Sequence, residues 1–157
     1  MLATVYALLI SAALAILTIF IHYEVLTTSW PIRSGAAVTL RAHMARLLTG
    51  IFIAHLIEIA IYAAAYYLMH DHLGLGTING ATGEGLSDYF YYSITSYTTL
   101  GFGDLYPSGP IRIVTGIESL NGLVLIGWST SYTYLAMQRF SRAGRRSAAL
   151  DHPHELS

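Results

Sequence analysis

The chain has 157 residues, one domain's worth of material, and 54% of them are hydrophobic against only 11% charged. That balance points to lipid rather than water as the main solvent. The net charge of −1 says little about partners, no nucleic-acid partner is expected, and the lack of cysteine excludes a disulfide framework or thiolate metal site.

The first run, Leu2 to Ile21, carries no charge and is long enough to cross a bilayer, which takes about 20 residues. "ALA" at 13–15 resembles a signal-peptide cleavage site. No basic segment precedes it and the run is longer than a usual signal core, so a retained helix over residues 1–22 is expected. A linker over 23–44 follows. In its "TTSWPIRSG", Trp30 suits a headgroup-level anchor and Pro31 interrupts helix. Val38 to Arg46 reads as an early turn of the next helix, whose membrane run, Leu47 to Met69, carries only His55 and Glu58.

All eight basic residues are arginine. Arg33, Arg41 and Arg46 lie between the first and second runs, and Arg139, Arg142, Arg145 and Arg146 follow the third. Only Arg112 lies elsewhere. The positive-inside rule then puts those two segments in the cytoplasm, leaving the N-terminus and the region before the third run outside.

The external segment, 70–86, begins "HDHLGLGTINGATGEG" and reads as a flexible loop, not a packed element. Asp71, Glu84 and Asp88 make this side acidic, which favours cations. His70 and His72 read as plain polar loop. "SDYFYYSITSYTT" then predicts a helix over 87–98, capped by Ser87 or Asp88. At about 15 Å it reaches half-way through a bilayer. A half-length helix followed by the glycine loop "LGFGD", between two spanning runs, fits a re-entrant loop, because irregular backbone at membrane depth must be buried in protein or line a wet cavity. The third run, Ile113 to Met137, carries only Glu118.

"TTLGFGDLYP", with a short aromatic helix before it and a spanning helix after it, resembles the pore domain of potassium channels, whose usual form is T-T-V-G-Y-G-D. The likeness covers residues 45–140: outer helix 45–69, pore helix 87–98, filter 99–104 and inner helix 111–138, with a short polar tail over 141–157. It implies an all-α membrane protein of three transmembrane helices, with a re-entrant pore helix and filter loop between the last two. It further implies a K⁺-selective channel in which carbonyls replace the ion's water. The implied ligands are the carbonyls of Thr99, Leu100, Gly101 and Phe102 with the Thr99 hydroxyl, and Gly101 and Gly103 free the backbone to aim them. One pore loop per chain implies a homotetramer in the bilayer. No cofactor is expected beyond the transported K⁺.

By the same resemblance Asp104 sits behind the filter mouth, with Tyr91 and Tyr92 as hydroxyl partners where relatives carry a tryptophan pair. Thr95 stands where some relatives carry a glutamate. Glu118 is expected to brace the filter through pore-helix hydroxyls such as Thr95 or Ser96. Gly122 occupies a hinge position or a close helix contact. A stripe of Leu123, Ile126, Thr130 and Tyr134 is expected to line the cavity. Two departures, Leu100 for valine and Phe102 for tyrosine, suggest a second reading, a weakly selective monovalent cation channel. A third, a haem protein using His22 and His55, fits poorly because their depths differ. Hydrolase motifs are missing, so no enzyme is expected. The first run has no regularly spaced arginines, so it is no voltage sensor.

Overall fold

The structure, a computed structural model, describes residues 1–28, 40–80 and 85–151. Trp30, Pro31, Arg33 and Glu84, and the side chains of Arg142, Arg145 and Arg146, lie outside the described residues.

Among the described residues four helices dominate, in the order α1 (Leu2–Thr28), α2 (Leu40–Tyr67), α3 (Leu86–Tyr97) and α4 (Ile111–Asp151). Three of the described segments are long and apolar enough to cross a membrane: Leu2–Thr28, Arg41–His72 and Ile111–Arg139. The chain is an all-α integral membrane protein. α1 passes the expected end at residue 22, since "YEVLTT" holds no helix breaker. α4 likewise runs on into the tail to Asp151, through an alanine- and arginine-rich stretch of good helix formers that stops short of Pro153.

α1 buries a single stripe, Ala7, Ser11, Thr18, His22 and Leu26, at the three- and four-residue steps of one helix face. That stripe packs on α2 and α4, and α3 wedges between α2 and α4. Tyr62, Tyr66, Tyr92, Ile111 and Val114 form one core cluster. Ile59, Tyr97 and Leu125 form a second at the C-terminal end of α3, and Leu26, Leu47, Ile51 and Ala136 a third beyond it.

Part of the segment expected to be a flexible loop is packed. α2 widens into a π-helical turn at Leu68–His72, then β1 (Thr77–Asn79) pairs antiparallel with β2 (Tyr106–Ser108), Ile78 opposite Pro107. Ile78 is buried in the first core cluster, and Ile111 N–H donates to the Leu75 carbonyl at 3.0 Å. The β-branched pair Thr77–Ile78 drives this, an apolar anchor hidden in a glycine-rich stretch. The cap of α3 also differs. Gly85 holds the N-cap position with no side-chain cap bond, while Asp88 lies in the first turn, where it complements the helix dipole.

Candidate functional site

The loop after α3 is set by main-chain bonds. Thr99 N–H donates to the Ser96 carbonyl and Gly101 N–H to the Thr95 carbonyl, both at 3.0 Å. Thr99, Gly101 and Gly103 have φ of 58°, 50° and 83°, and Thr99 is the one non-glycine with positive φ among the described residues. Leu100 and Phe102 between them keep negative φ. Positive φ at alternate residues is the backbone pattern by which successive peptide dipoles turn to a common side. For threonine the left-handed conformation costs about 1–2 kcal/mol, strain of the kind held at functional sites. The side chains of Leu100 and Phe102 are 58% and 66% exposed, so neither packs closely within its own chain.

The tyrosine pair expected beside Asp104 divides its work. Tyr91 donates its hydroxyl to Asp104 Oδ2 at 2.8 Å, and Leu105 N–H donates to Oδ1 at 3.0 Å. Tyr92 does not reach Asp104; its hydroxyl pairs with Thr115 on α4 at 2.8 Å. One position along a helix turns the side chain by about 100°, so adjacent tyrosines face different neighbours. Thr95 bonds its own turn, donating to the Tyr92 carbonyl at 2.9 Å, and touches the loop only through its carbonyl.

Glu118 is fully buried but takes neither Thr95 nor Ser96, a correction to the expected partners. Its carboxylate accepts from Ser93 Oγ at 2.6 Å and from the Tyr66 hydroxyl, linking α4 to both α3 and α2. Ser93 lies two and three residues before the expected positions, on the face of α3 turned toward Glu118. Ser96 is used through its carbonyl, which accepts from Ser119 Oγ at 2.8 Å.

Gly122 is a close contact. A Cβ there would sit 2.2 Å from the Tyr97 carbonyl oxygen, and α4 passes through it unbroken. Leu123, Ile126, Thr130 and Tyr134 are all exposed, so the stripe faces away from the other helices of its own chain.

A second buried polar cluster lies under the C-terminal end of α3. Glu58 Oε1 accepts from His22 Nδ1 at 2.8 Å, while Oε2 faces His55 Nδ1 at 3.2 Å and accepts from the Tyr97 hydroxyl. Ser129 Oγ lies 2.9 Å from His22 Nε2 and 3.3 Å from His55 Nε2. The poor depth match expected for the two histidines is therefore wrong. Their ring centroids are 5.0 Å apart, and α1 runs on past His22 to Thr28, so His22 does not sit at the helix end assumed from the sequence. Trp128 and Tyr97 rings pack the flanks, leaving no slot for a porphyrin between them.

At the other end of α3, the Tyr89 hydroxyl pairs with His70 Nδ1 at 2.9 Å and donates to Asp71 Oδ2 at 3.1 Å. Burial, and then the Asp71 bond and charge, push this hydroxyl's pKa up to about 12. The "HDH" stretch is thus part of the packing around α3.

Sequence reasoning missed Ser93, Tyr66, Tyr97, Ser129 and the pairing of His22 with Glu58. The His55/Glu58 spacing of three does put both on one helix face, but nothing in the sequence sets the rotation of α1 that brings His22 to them.

A family model described as "Ion channel" matches residues 54–139. The inward rectifier potassium channel Kirbac3.1 of Paramagnetospirillum magnetotacticum is 28% identical over 122 residues, covering 77% of this chain and 34% of that protein. The chain thus spans about a third of the length of the curated relative it matches. No solved structure matches the chain significantly.

Proposed function

The chain belongs to the ion-channel family, and from that premise we propose that it conducts K⁺ selectively as a homotetramer. The observation that carries the reading is the alternation of positive φ at Thr99, Gly101 and Gly103 with negative φ at Leu100 and Phe102, directly after the half-length α3. A row of carbonyls from Thr99, Leu100, Gly101 and Phe102, completed by the Thr99 hydroxyl, offers a dehydrated cation oxygens without fixed charge, so the ion binds and still leaves. One chain supplies one side of such a ring; four copies close it. The negative end of the α3 dipole then faces the cavity and offsets part of the cost of a cation at mid-membrane. Assembly also gives a place to Leu100, Phe102 and the exposed Leu123, Ile126, Thr130 and Tyr134 stripe, which one chain leaves uncovered. The arginine distribution orients the N-terminus outside and the C-terminus in the cytoplasm. The potassium channel among its relatives supports the choice of ion.

A weakly selective monovalent cation channel is the second reading. Phe102 lacks the hydroxyl that would brace the filter, a loss of about 1 kcal/mol per subunit. Purified protein in liposomes, under opposed K⁺ and Na⁺ gradients, separates the two. A reversal potential near that of K⁺, with flux blocked by barium, is expected. Equal permeabilities select the second reading, and no cation flux at all overturns both.

A further inference from the structure

We propose that His22, His55 and Glu58, joined by Tyr97, form a site for a divalent transition-metal cation such as Zn²⁺ inside each subunit, apart from the ion pathway.

The donor atoms come from three helices. His22 Nδ1 on α1 lies 2.8 Å from Glu58 Oε1, and His55 Nδ1 on α2 lies 3.2 Å from Glu58 Oε2 and 2.8 Å from the Tyr97 hydroxyl on α3. One ligand atom from each of His22, His55 and Glu58 can be chosen so that all lie within 4.8 Å of one another. Ligands about 2.0–2.1 Å from Zn²⁺ in a tetrahedron are separated by roughly 3.3 Å. The shortest edges need to open by roughly half an ångström to somewhat under one to admit an ion. Two imidazoles, a carboxylate and a phenol suit Zn²⁺ and its neighbours, whereas Ca²⁺ and Mg²⁺ want shells of oxygen.

Both imidazoles turn their other nitrogen, Nε2, to Ser129 Oγ, at 2.9 and 3.3 Å. Metal-bound histidines are commonly oriented by such an outer partner.

His22 and Glu58 are fully buried, but the His55 side chain is 16% exposed and lines an open groove with Leu48, Thr49, Ile51 and Phe52. A bound ion would join α1 to α2 and, through Tyr97, to the residue two before Thr99. Its occupancy would therefore bear on the filter from behind.

The test uses the full chain purified in detergent, stripped with chelator and titrated with Zn²⁺, or with Co²⁺ as a coloured probe. Elemental analysis is expected to find one ion per chain, and Co²⁺ to give the intense visible bands of a four-coordinate site. His22→Gln and Glu58→Gln should each lower affinity at least about a hundredfold, and Ser129→Ala, outside the ligand set, by about 10–100-fold. The pair His70→Asn/His72→Asn should change nothing. If the buried substitutions fail to fold, Ser129→Ala and the Co²⁺ spectrum and stoichiometry of the wild type decide. Absence of a tightly held ion, affinity untouched by Ser129→Ala, or binding lost with His70 and His72 overturns the proposal.

Discussion

Replacing Glu118 by Ala removes the acceptor that ties α4 to α2 and α3. The Tyr66 hydroxyl, fully buried, is left without that partner, at about 1–3 kcal/mol for a stranded buried donor. Ser93 loses one bond, worth about 1 kcal/mol, but keeps its contact to the Ile59 carbonyl at 2.9 Å. The void left by the side chain adds about 1 kcal/mol, for a total of roughly 3–5 kcal/mol per chain. Glu118→Gln behaves differently. Its amide oxygen accepts from Tyr66, and its NH₂ donates to Ser93 while Ser93 donates to Ile59, so the loss stays below about 2 kcal/mol. Thermal denaturation of the detergent-solubilised chain, read as the fraction that stays monodisperse, compares the two. At about 2–4 °C per kcal/mol for a chain of this size, Ala should lower the midpoint by roughly 6–20 °C. A cycle with Tyr66→Phe should show coupling of about 0.5–3 kcal/mol. An Ala variant that melts with the wild type, or a Gln variant that falls as far as Ala, refutes the bracing.

Gly122→Ala drives a methyl into the Tyr97 carbonyl and should cost about 1–3 kcal/mol, whereas Gly116→Ala and Gly127→Ala, with nothing within 4 Å, should melt no lower than wild type; equal behaviour of all three in the same melt contradicts the close-contact reading. Tyr89, raised from 10.0 to about 12, stabilises the fold in its neutral form, so its contribution is whole below pH 10 and fades as pH rises through about 12. Tyr89→Phe should therefore melt lower at neutral pH and lose less than wild type across that alkaline window, and identical pH profiles count against the Asp71 bond.

The spanning runs were legible because a bilayer demands about 20 apolar residues and Leu2–Ile21, Leu47–Met69 and Ile113–Met137 supply them. The half-length helix was legible for the same reason, being too short to cross. What the sequence hid were contacts between helices. Glu118 was marked by charge, but its partner depended on which face of α3 turns toward α4, and that is decided by packing of Tyr92 and Tyr97. β1 was hidden because three residues between glycines carry no period, and only their pairing with β2 makes them an element. His22 looked remote from Glu58 because no local pattern encodes how one helix lies across another.

The family match begins at residue 54, after α1, yet four polar side chains within it bond to α1. Glu58 and Ser129 pair with His22, Asn121 donates to Thr18 Oγ1 at 2.8 Å, and Tyr132 donates to the Leu26 carbonyl at 2.6 Å. Cutting α1 away would strip Glu58 Oε1, Asn121 and Tyr132 of one bond each and turn that face to hydrocarbon, where unmet polar bonding capacity is costly. The matched region of this chain is therefore not a separable module. A chimaera that lends it to another protein has to carry α1 along, or replace Glu58, Asn121 and Tyr132 with apolar residues at the same stroke.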